Sequence, residues 1–75
     1  MVLDCVLLVL EDGKPRSFEE IMHELKRRGV KHSEAKVKFA LGFMETYLFI
    51  NHLRNGDWKL SMPVFMFCQK LKEMP

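Results

Sequence analysis

Cysteine, proline and glycine are scarce in this sequence. Its 75 residues include two cysteines, three prolines and four glycines, and no low-complexity tract or linker is visible. Cys5 and Cys68 each lie inside an apolar run, unlike the cysteines of a secreted disulfide framework. We expect both to be small buried hydrophobic side chains; a bridge between them would need an oxidising or hyperthermophile setting. Cysteines and histidines lack metal-ligand spacing, so we expect no metal site.

No apolar run is long enough to cross a membrane. The stretch from Met1 to Leu10 is nearly all apolar, but a spanning helix needs about 20 residues, and Asp4 interrupts the stretch. It also lacks the basic segment and the small-residue cleavage site of a secretory signal. We therefore expect a core helix in a cytoplasmic protein that makes no membrane contact.

Catalytic motifs are missing as well. The sequence has no Gly-rich phosphate loop, no HExxH motif and no nucleophile elbow. A chain of this length buries only about 60% of the surface that its unfolded form exposes. Little room is left for a substrate pocket beside a core. We expect no enzyme activity, no cofactor and no small-molecule substrate.

The net charge is small, but the charges are segregated along the chain. Twelve Lys and Arg against ten Asp and Glu leave a formal charge of +2. From Lys26 to Lys38 there are six cationic side chains and one acid, Glu34, whereas the first twelve residues hold three acids and no Lys or Arg. This basic cluster favours a negatively charged partner; the alternative is a solvated basic face.

Capping and turn residues divide the chain, which we expect to form one domain over residues 1–75. Gly13 suits the left-handed position that ends a helix, Ser17 and Glu20 form a capping box, and Ser33 can cap a further helix. The predicted elements are helices over residues 2–11, 17–28, 33–47 and 63–72, and a hairpin over residues 49–61.

Hydrophobic spacing indicates which faces of these elements are buried. The predicted core stripe of the second helix is Phe18, Ile21, Met22 and Leu25, and that of the third is Val37, Ala40, Leu41 and Met44. The Asn55-Gly56 pair predicts a type I′ hairpin turn, which needs positive φ at both residues. Trp58 is expected in the core beneath the hairpin.

The segment from Ser17 to Ser61 resembles the winged helix-turn-helix domain of small prokaryotic, especially archaeal, transcription regulators. The resemblance is carried by Ser17-x-x-Glu20-Ile21-x-x-x-Leu25, Val37-x-x-Ala40-Leu41-x-x-Met44-x-x-x-Leu48-Phe49-Ile50 and Asn55-Gly56-x-Trp58-x-Leu60. It implies an α+β, mostly helical fold with a three-helix core and a β-hairpin wing, to which this chain adds a C-terminal helix. Where the family usually has glycine before the apolar pair that opens the wing, this chain has Leu48.

The resemblance also implies binding of double-stranded DNA, with the third helix in the major groove and the wing on the flanking backbone. The residues of this chain at those positions are Lys31, His32, Ser33, Lys36, Lys38, Arg54 and Lys59. At the wing tip, turn chemistry alone is an alternative explanation of Asn55.

Phe39 and Phe43 fall on outward-facing positions of the recognition-helix pattern, where polar or basic side chains are usual. Three interpretations stay open: they contact bases or thymine methyl groups, they form a protein interface, or they belong to the core. The alternative to DNA binding is therefore a winged-helix module for protein–protein interaction without DNA affinity.

The last helix presents apolar residues nearly all round, more than one small domain can cover. We expect a homodimer in which this helix pairs with its copy across a two-fold axis. The expected interface residues are Val64, Phe65, Phe67, Cys68 and Leu71. The alternative is that the first and last helices of one chain cover each other.

Overall fold

The computed structural model describes residues 1–75 and has an α+β, mostly helical fold, as predicted. Four helices accompany a two-stranded antiparallel sheet. In chain order the elements are α1 (Val2–Leu10), α2 (Phe18–Arg27), α3 (Glu34–Thr46), β1 (Ile50–His52), β2 (Trp58–Leu60) and α4 (Met62–Glu73). Each helix end, and each end of the hairpin, lies beside or on the end expected from the sequence.

The core lies between α1, α2, α3 and the inner face of the hairpin. Its buried side chains are Val6, Val9, Leu10, Ile21, Leu25, Val37, Ala40, Leu41, Met44, Ile50 and Leu60. All four residues of the predicted α3 stripe are among them, so that stripe is confirmed. In α2 the stripe is only partly buried, because Phe18 and Met22 pack at the edge of the core. The central element is α1, which packs against α2, α3 and β2.

The two residues before α2, Arg16 and Ser17, are both fixed by hydrogen bonds. Ser17 Oγ accepts the Glu20 backbone N–H at 3.1 Å, and the Ser17 N–H donates to Glu20 Oε1 at 2.9 Å, which is the predicted capping box. Arg16 forms a β-bridge with Trp58: its N–H donates to the Trp58 carbonyl at 2.9 Å and its carbonyl accepts the Trp58 N–H at 2.7 Å. An extended residue ahead of α2 therefore lies alongside β2.

The hairpin pairs Ile50 with Leu60 and His52 with Trp58. Trp58 is half-buried rather than fully buried as expected. Its ring stacks on the His52 ring, with centroids 3.7 Å apart and an interplanar angle of 5°. One face of the indole is thus covered by a neighbouring side chain on the hairpin surface.

The type I′ prediction for the hairpin turn is wrong. Gly56 has φ +93°, but Asn55 does not have positive φ. The Gly56 N–H donates to the Leu53 carbonyl at 3.0 Å, while the Asn55 side-chain oxygen accepts the Asp57 N–H at 3.0 Å. Because the Asn55 side chain satisfies the turn, only the glycine takes the left-handed conformation, as in the longer, three-residue hairpin loops.

A leucine in the left-handed region ends α3. Leu48 has φ +64° and is the only residue other than glycine with positive φ. Next to it, the Phe49 N–H donates to the Met44 carbonyl at 2.8 Å, which closes the helix end in the manner of a glycine-capped helix. Such backbone costs an L-residue about 1–2 kcal/mol. Leu48 is 75% exposed, so burial of its side chain returns little of that cost.

Both the backbone conformation at position 13 and the space around it require glycine. Gly13→Ala should therefore lower the free energy of unfolding by about 2 kcal/mol. Gly13 has φ +77°, and a Cβ there would lie 2.7 Å from Cε1 of Phe65. The control is Gly42→Ala, inside α3 with open space around it, which should raise stability by up to about 1 kcal/mol. Urea denaturation measures both variants, and a shift in the same direction for the two would contradict this account.

Leu48→Gly should raise the free energy of unfolding by about 0.5–1 kcal/mol, because relief of the left-handed strain exceeds the added entropy of the unfolded chain. Leu48→Ala is the matched control, since it removes the side chain and keeps the strain. The same denaturation experiment compares the two. A glycine variant less stable than the alanine variant would show that the left-handed backbone carries no strain.

Candidate nucleic-acid interface

The amino end of α3 concentrates positive potential. Ser33 caps the helix, and its Oγ accepts the Lys36 N–H at 3.2 Å. The remaining free N–H groups of the first turn and the helix dipole favour an anion at this end. Ser33 is exposed and keeps its own hydroxyl proton for donation. Backbone and side chain together thus offer hydrogen-bond donors to a phosphate.

Two shallow hollows meet at His32, beside this helix end. One of about 410 Å³ is lined by Lys26, Val30, Lys31, His32 and Ser33. The other, of about 540 Å³, is lined by Met1, Val2, His32, Ala35, Lys36 and Phe39. The structure therefore brings together four of the predicted DNA-binding residues, Lys31, His32, Ser33 and Lys36.

Lys36 and Lys38 flank the outer face of α3 on opposite sides. Lys36 lies with His32 at the second hollow, whereas the Lys38 Nζ lies 5.2 Å from the ring centroid of Phe18, on the side of α2. A cation over an aromatic face is held by the ring quadrupole, which limits the directions in which Lys38 reaches out. Both side chains are exposed.

Ion pairs engage several cations of the chain, but none of those predicted to bind DNA. Glu24 pairs with Arg27 and Arg28, Asp12 pairs with Arg16, and Glu73 pairs with Lys70. None of the predicted contacts takes part in an ion pair; these are Lys31, Lys36, Lys38, Arg54 and Lys59. The charge of the cluster from Lys26 to Lys38 is thus reduced on α2 and stays available around α3.

Glu24 is held as a carboxylate by its two arginines. The Arg27 Nε donates to Glu24 Oε2 at 3.0 Å, and the Arg28 Nε donates to Glu24 Oε1 at 3.0 Å. These hydrogen bonds, first from Arg27 and then from Arg28, lower the pKa of Glu24 from 4.5 to about 2. The spacing of three and four residues on one helix makes this arrangement possible.

The hairpin residues do not all join this group. Arg54 and Asn55 are exposed at the tip, where the Asn55 side chain bonds to Asp57, in agreement with a role in the turn alone. Lys59 is half-buried and lines a separate hollow of about 300 Å³ that also includes Asp12 and Asn51. Lys59 therefore shares a hollow with an acid and with none of the α3 cations.

Phe39 and Phe43 are exposed, and their interpretation as core residues is wrong. Phe39 is 76% exposed and Phe43 is 41% exposed. Tyr47 continues the row on the next turn, and its ring centroid lies 4.6 Å from that of Phe43. We call these three residues the aromatic ridge. An expectation that Tyr47 lies in the core like Trp58 is wrong, since Tyr47 is 60% exposed. The four-residue spacing from Phe39 to Phe43 to Tyr47 marks one helix face and is the signal in the sequence for this row.

The residues expected at a dimer interface point in two directions. Val64, Phe65 and Cys68 are half-buried and pack against the core of their own chain. Phe67 and Leu71 are 63% and 52% exposed. The inward group attaches α4 to the domain, and only the outward group is available to another molecule.

No protein-family model, curated protein sequence or solved structure matches this chain. None of the helices combines the length and apolarity that crossing a bilayer requires. No three His, Cys, Asp or Glu side chains come together as ligands to a metal would.

Glu24→Gln should weaken the dependence of the free energy of unfolding on pH below pH 4.5. A carboxyl whose folded pKa is depressed adds stability above its unfolded pKa, and that stability is lost as the pH falls through the folded pKa. The window here runs from pH 4.5 down to about 2. Wild type should therefore exceed the variant in melting temperature at neutral pH and converge with it near pH 2.

Circular dichroism melts across this pH range measure the effect. Glu45→Gln is the control, because Glu45 lies exposed on α3 and forms no ion pair. Its effect should stay within about 0.5 kcal/mol. A Glu24→Gln curve that runs parallel to wild type over the whole range would rule out the proposed role of the two arginines.

Proposed function

We propose that this chain is a winged helix-turn-helix domain that binds duplex DNA and acts in transcription regulation. The order of elements supports the architecture: α1, an extended residue, α2, a short turn, α3 and a hairpin. The bridge between Arg16 and Trp58 adds a third extended segment to the hairpin, beside β2. In this architecture α3 is the recognition helix and the hairpin is the wing.

The observation that carries the DNA-binding proposal is the group of unpaired cations around the amino end of α3. Lys31 and Lys36 have no acidic partner, and the capped helix end beside them offers backbone donors. Lysines that neutralise phosphates release condensed counterions, which drives binding at low salt. Lys38 adds a third charge on the other flank of the helix, and Arg54 extends the contacts from the wing tip.

The side chains on the outer face of α3 predict that the domain distinguishes only weakly between DNA base sequences. Between the flanking lysines this face carries Ala35, Phe39 and Gly42, whose side chains offer no hydrogen-bond donors or acceptors, and Thr46. The Thr46 hydroxyl already donates its proton to the Gly42 carbonyl at 2.8 Å. Base edges in the major groove are distinguished mainly by hydrogen bonds, and apolar side chains contact only the thymine methyl group. We therefore propose that phosphate contacts supply most of the affinity.

The aromatic ridge favours a second candidate function, a protein-interaction module. Phe39, Phe43 and Tyr47 line an exposed hollow of about 420 Å³ with Gly42 and Thr46. Aromatic side chains are enriched at protein interfaces and expose apolar surface that a monomer seldom leaves uncovered. If this is the function, the ridge is the working face and the domain has no affinity for DNA.

Fluorescence anisotropy of a labelled duplex, titrated at several salt concentrations, tests the DNA proposal. Replacing Lys36 and Lys38 by alanine should reduce the slope of log affinity against log salt by about 2, since each phosphate contact contributes about 0.9. The control replaces Lys70 and Lys72, at the far end of α4, and removes the same charge. It should leave the slope close to wild type.

Two outcomes would contradict DNA binding at α3. One is no binding by the folded protein even at low salt, which would leave the aromatic ridge as the favoured function. The other is an equal change of slope in the α3 and the α4 double variants. It would show that binding depends on net charge alone and that DNA does not contact α3 preferentially.

A further inference from the structure

The aromatic ridge continues a row of side chains that begins with a cation. Lys36, Phe39, Phe43 and Tyr47 follow one another at intervals of three or four residues, and side chains at this spacing lie on one helix face. All four are exposed. From Lys36 to Tyr47 the row extends about 16 Å along the helix. We call these four residues the α3 row, which carries a positive charge at one end and three rings beyond it.

Two hollows meet along the α3 row at Phe39. In the hollow of about 540 Å³ at the amino end of the helix, Phe39 is a neighbour of His32 and Lys36. In the hollow of about 420 Å³ at the aromatic ridge, it is a neighbour of Phe43 and Tyr47. No acidic side chain lines either hollow. A polymer that lies along the row therefore meets basic side chains first and aromatic rings next.

The acidic side chains of α3 lie on another face of the helix. Glu34, Lys38 and Glu45 are spaced by four and seven residues and therefore share one face. Lys38 follows Lys36 by two residues, which places it about 200° away around the helix axis. Lys36 itself takes part in no ion pair. The charge beside the aromatic ridge is thus positive and unpaired, which favours an anionic partner.

We propose that the α3 row binds single-stranded DNA, with Lys36 on a phosphate and bases stacked on the rings of the aromatic ridge. In a duplex, neighbouring base pairs cover the faces of each base, and proteins read the edges in the grooves. In an unpaired strand the faces are free, and every base has a face that stacks on an aromatic ring. Phe39 and Phe43 have no hydrogen-bonding groups for edges, but they have the flat surface that unpaired bases need.

The three rings offer two separate places for bases. The ring centroids of Phe43 and Tyr47 lie 4.6 Å apart with an interplanar angle of 43°, so these rings touch and no base fits between them. They form one combined surface. Phe39 stands one turn away towards Lys36 and is the most exposed ring of the ridge. Loss of the Phe39 ring should therefore weaken strand binding most, because it lies between the phosphate contact and the other two rings.

This inference deepens the proposed function and rests on it for the choice of DNA as the polymer. Lys36 serves phosphates of both forms of DNA, whereas the rings serve the unpaired strand alone. Duplex and single strand therefore share a dependence on salt and on Lys36. They differ in their dependence on Phe39, and this difference makes the inference testable apart from duplex binding.

Fluorescence anisotropy of a labelled oligothymidine tests the stacking, with a length of about ten nucleotides. Phe39→Ala should weaken strand binding by at least about tenfold, which corresponds to 1.4 kcal/mol. It should change duplex affinity by less than about twofold, since phosphate contacts supply most of that affinity. Phe39→Trp keeps an aromatic ring and should retain strand binding. The matched control Phe67→Ala removes an exposed ring from α4 and should leave both affinities unchanged.

Nuclear magnetic resonance gives a second readout, on the rings themselves. A base stacked on Phe39 shields its ring protons, so these signals should move upfield when the strand is added. They should not move upfield when duplex is added. Phe39 ring signals that stay in place at saturating strand would overturn the stacking.

The same titrations distinguish failure of this inference from failure of duplex binding. A protein that binds duplex but no strand would overturn the inference, as would strand binding that Phe39→Ala leaves unchanged. Either result would leave the aromatic ridge to a protein partner. Strand binding that depends on Phe39 in a protein that binds no duplex would support the inference and refute only the duplex proposal.

Discussion

The packing of α3 on α1 is the contact on which the rest of the molecule depends. Val37, Ala40, Leu41 and Met44 are buried against the core, and this fixes the rotation of α3 about its own axis. Once that rotation is set, the lysines at positions 36 and 38 are placed on opposite flanks and Phe39 at the centre of the exposed face. The charge of the surface and its apolar character therefore follow from one set of buried side chains.

The two ends of α3 differ in physical character. Ser33 caps the amino end, where free amides, the helix dipole and unpaired lysines favour phosphate. At the carboxyl end the left-handed Leu48 is held exposed between Tyr47 and Phe49. Phosphate contacts suit the first end and apolar contacts the second.

Features set by local physics were predictable from the sequence, and those set by distant contacts were not. The capping box at Ser17 and the core stripe of α3 depend on residues within one or two helical turns. The ion pairs of Glu24 with Arg27 and Arg28 also follow from their spacing of three and four residues. They were not predicted, because Glu24 lies just before the basic cluster from Lys26 to Lys38. The placement of Lys59 and Asp12 around one hollow depends on tertiary packing. The hairpin turn is an exception, because it is set locally and its prediction was still wrong: Asn55 lacks positive φ, and its side-chain oxygen accepts the Asp57 N–H instead.

A nuclear magnetic resonance titration of isotopically labelled protein with a short duplex tests the central claim most directly, because it reports on each backbone amide separately. DNA binding through α3 and the hairpin predicts shift changes over residues 31–38, at the amino end of α3, and at the wing tip around Arg54. These changes should fade as salt is added. Shift changes confined to residues 43–49, at the carboxyl end of α3, would contradict the account and identify the aromatic ridge as the binding face.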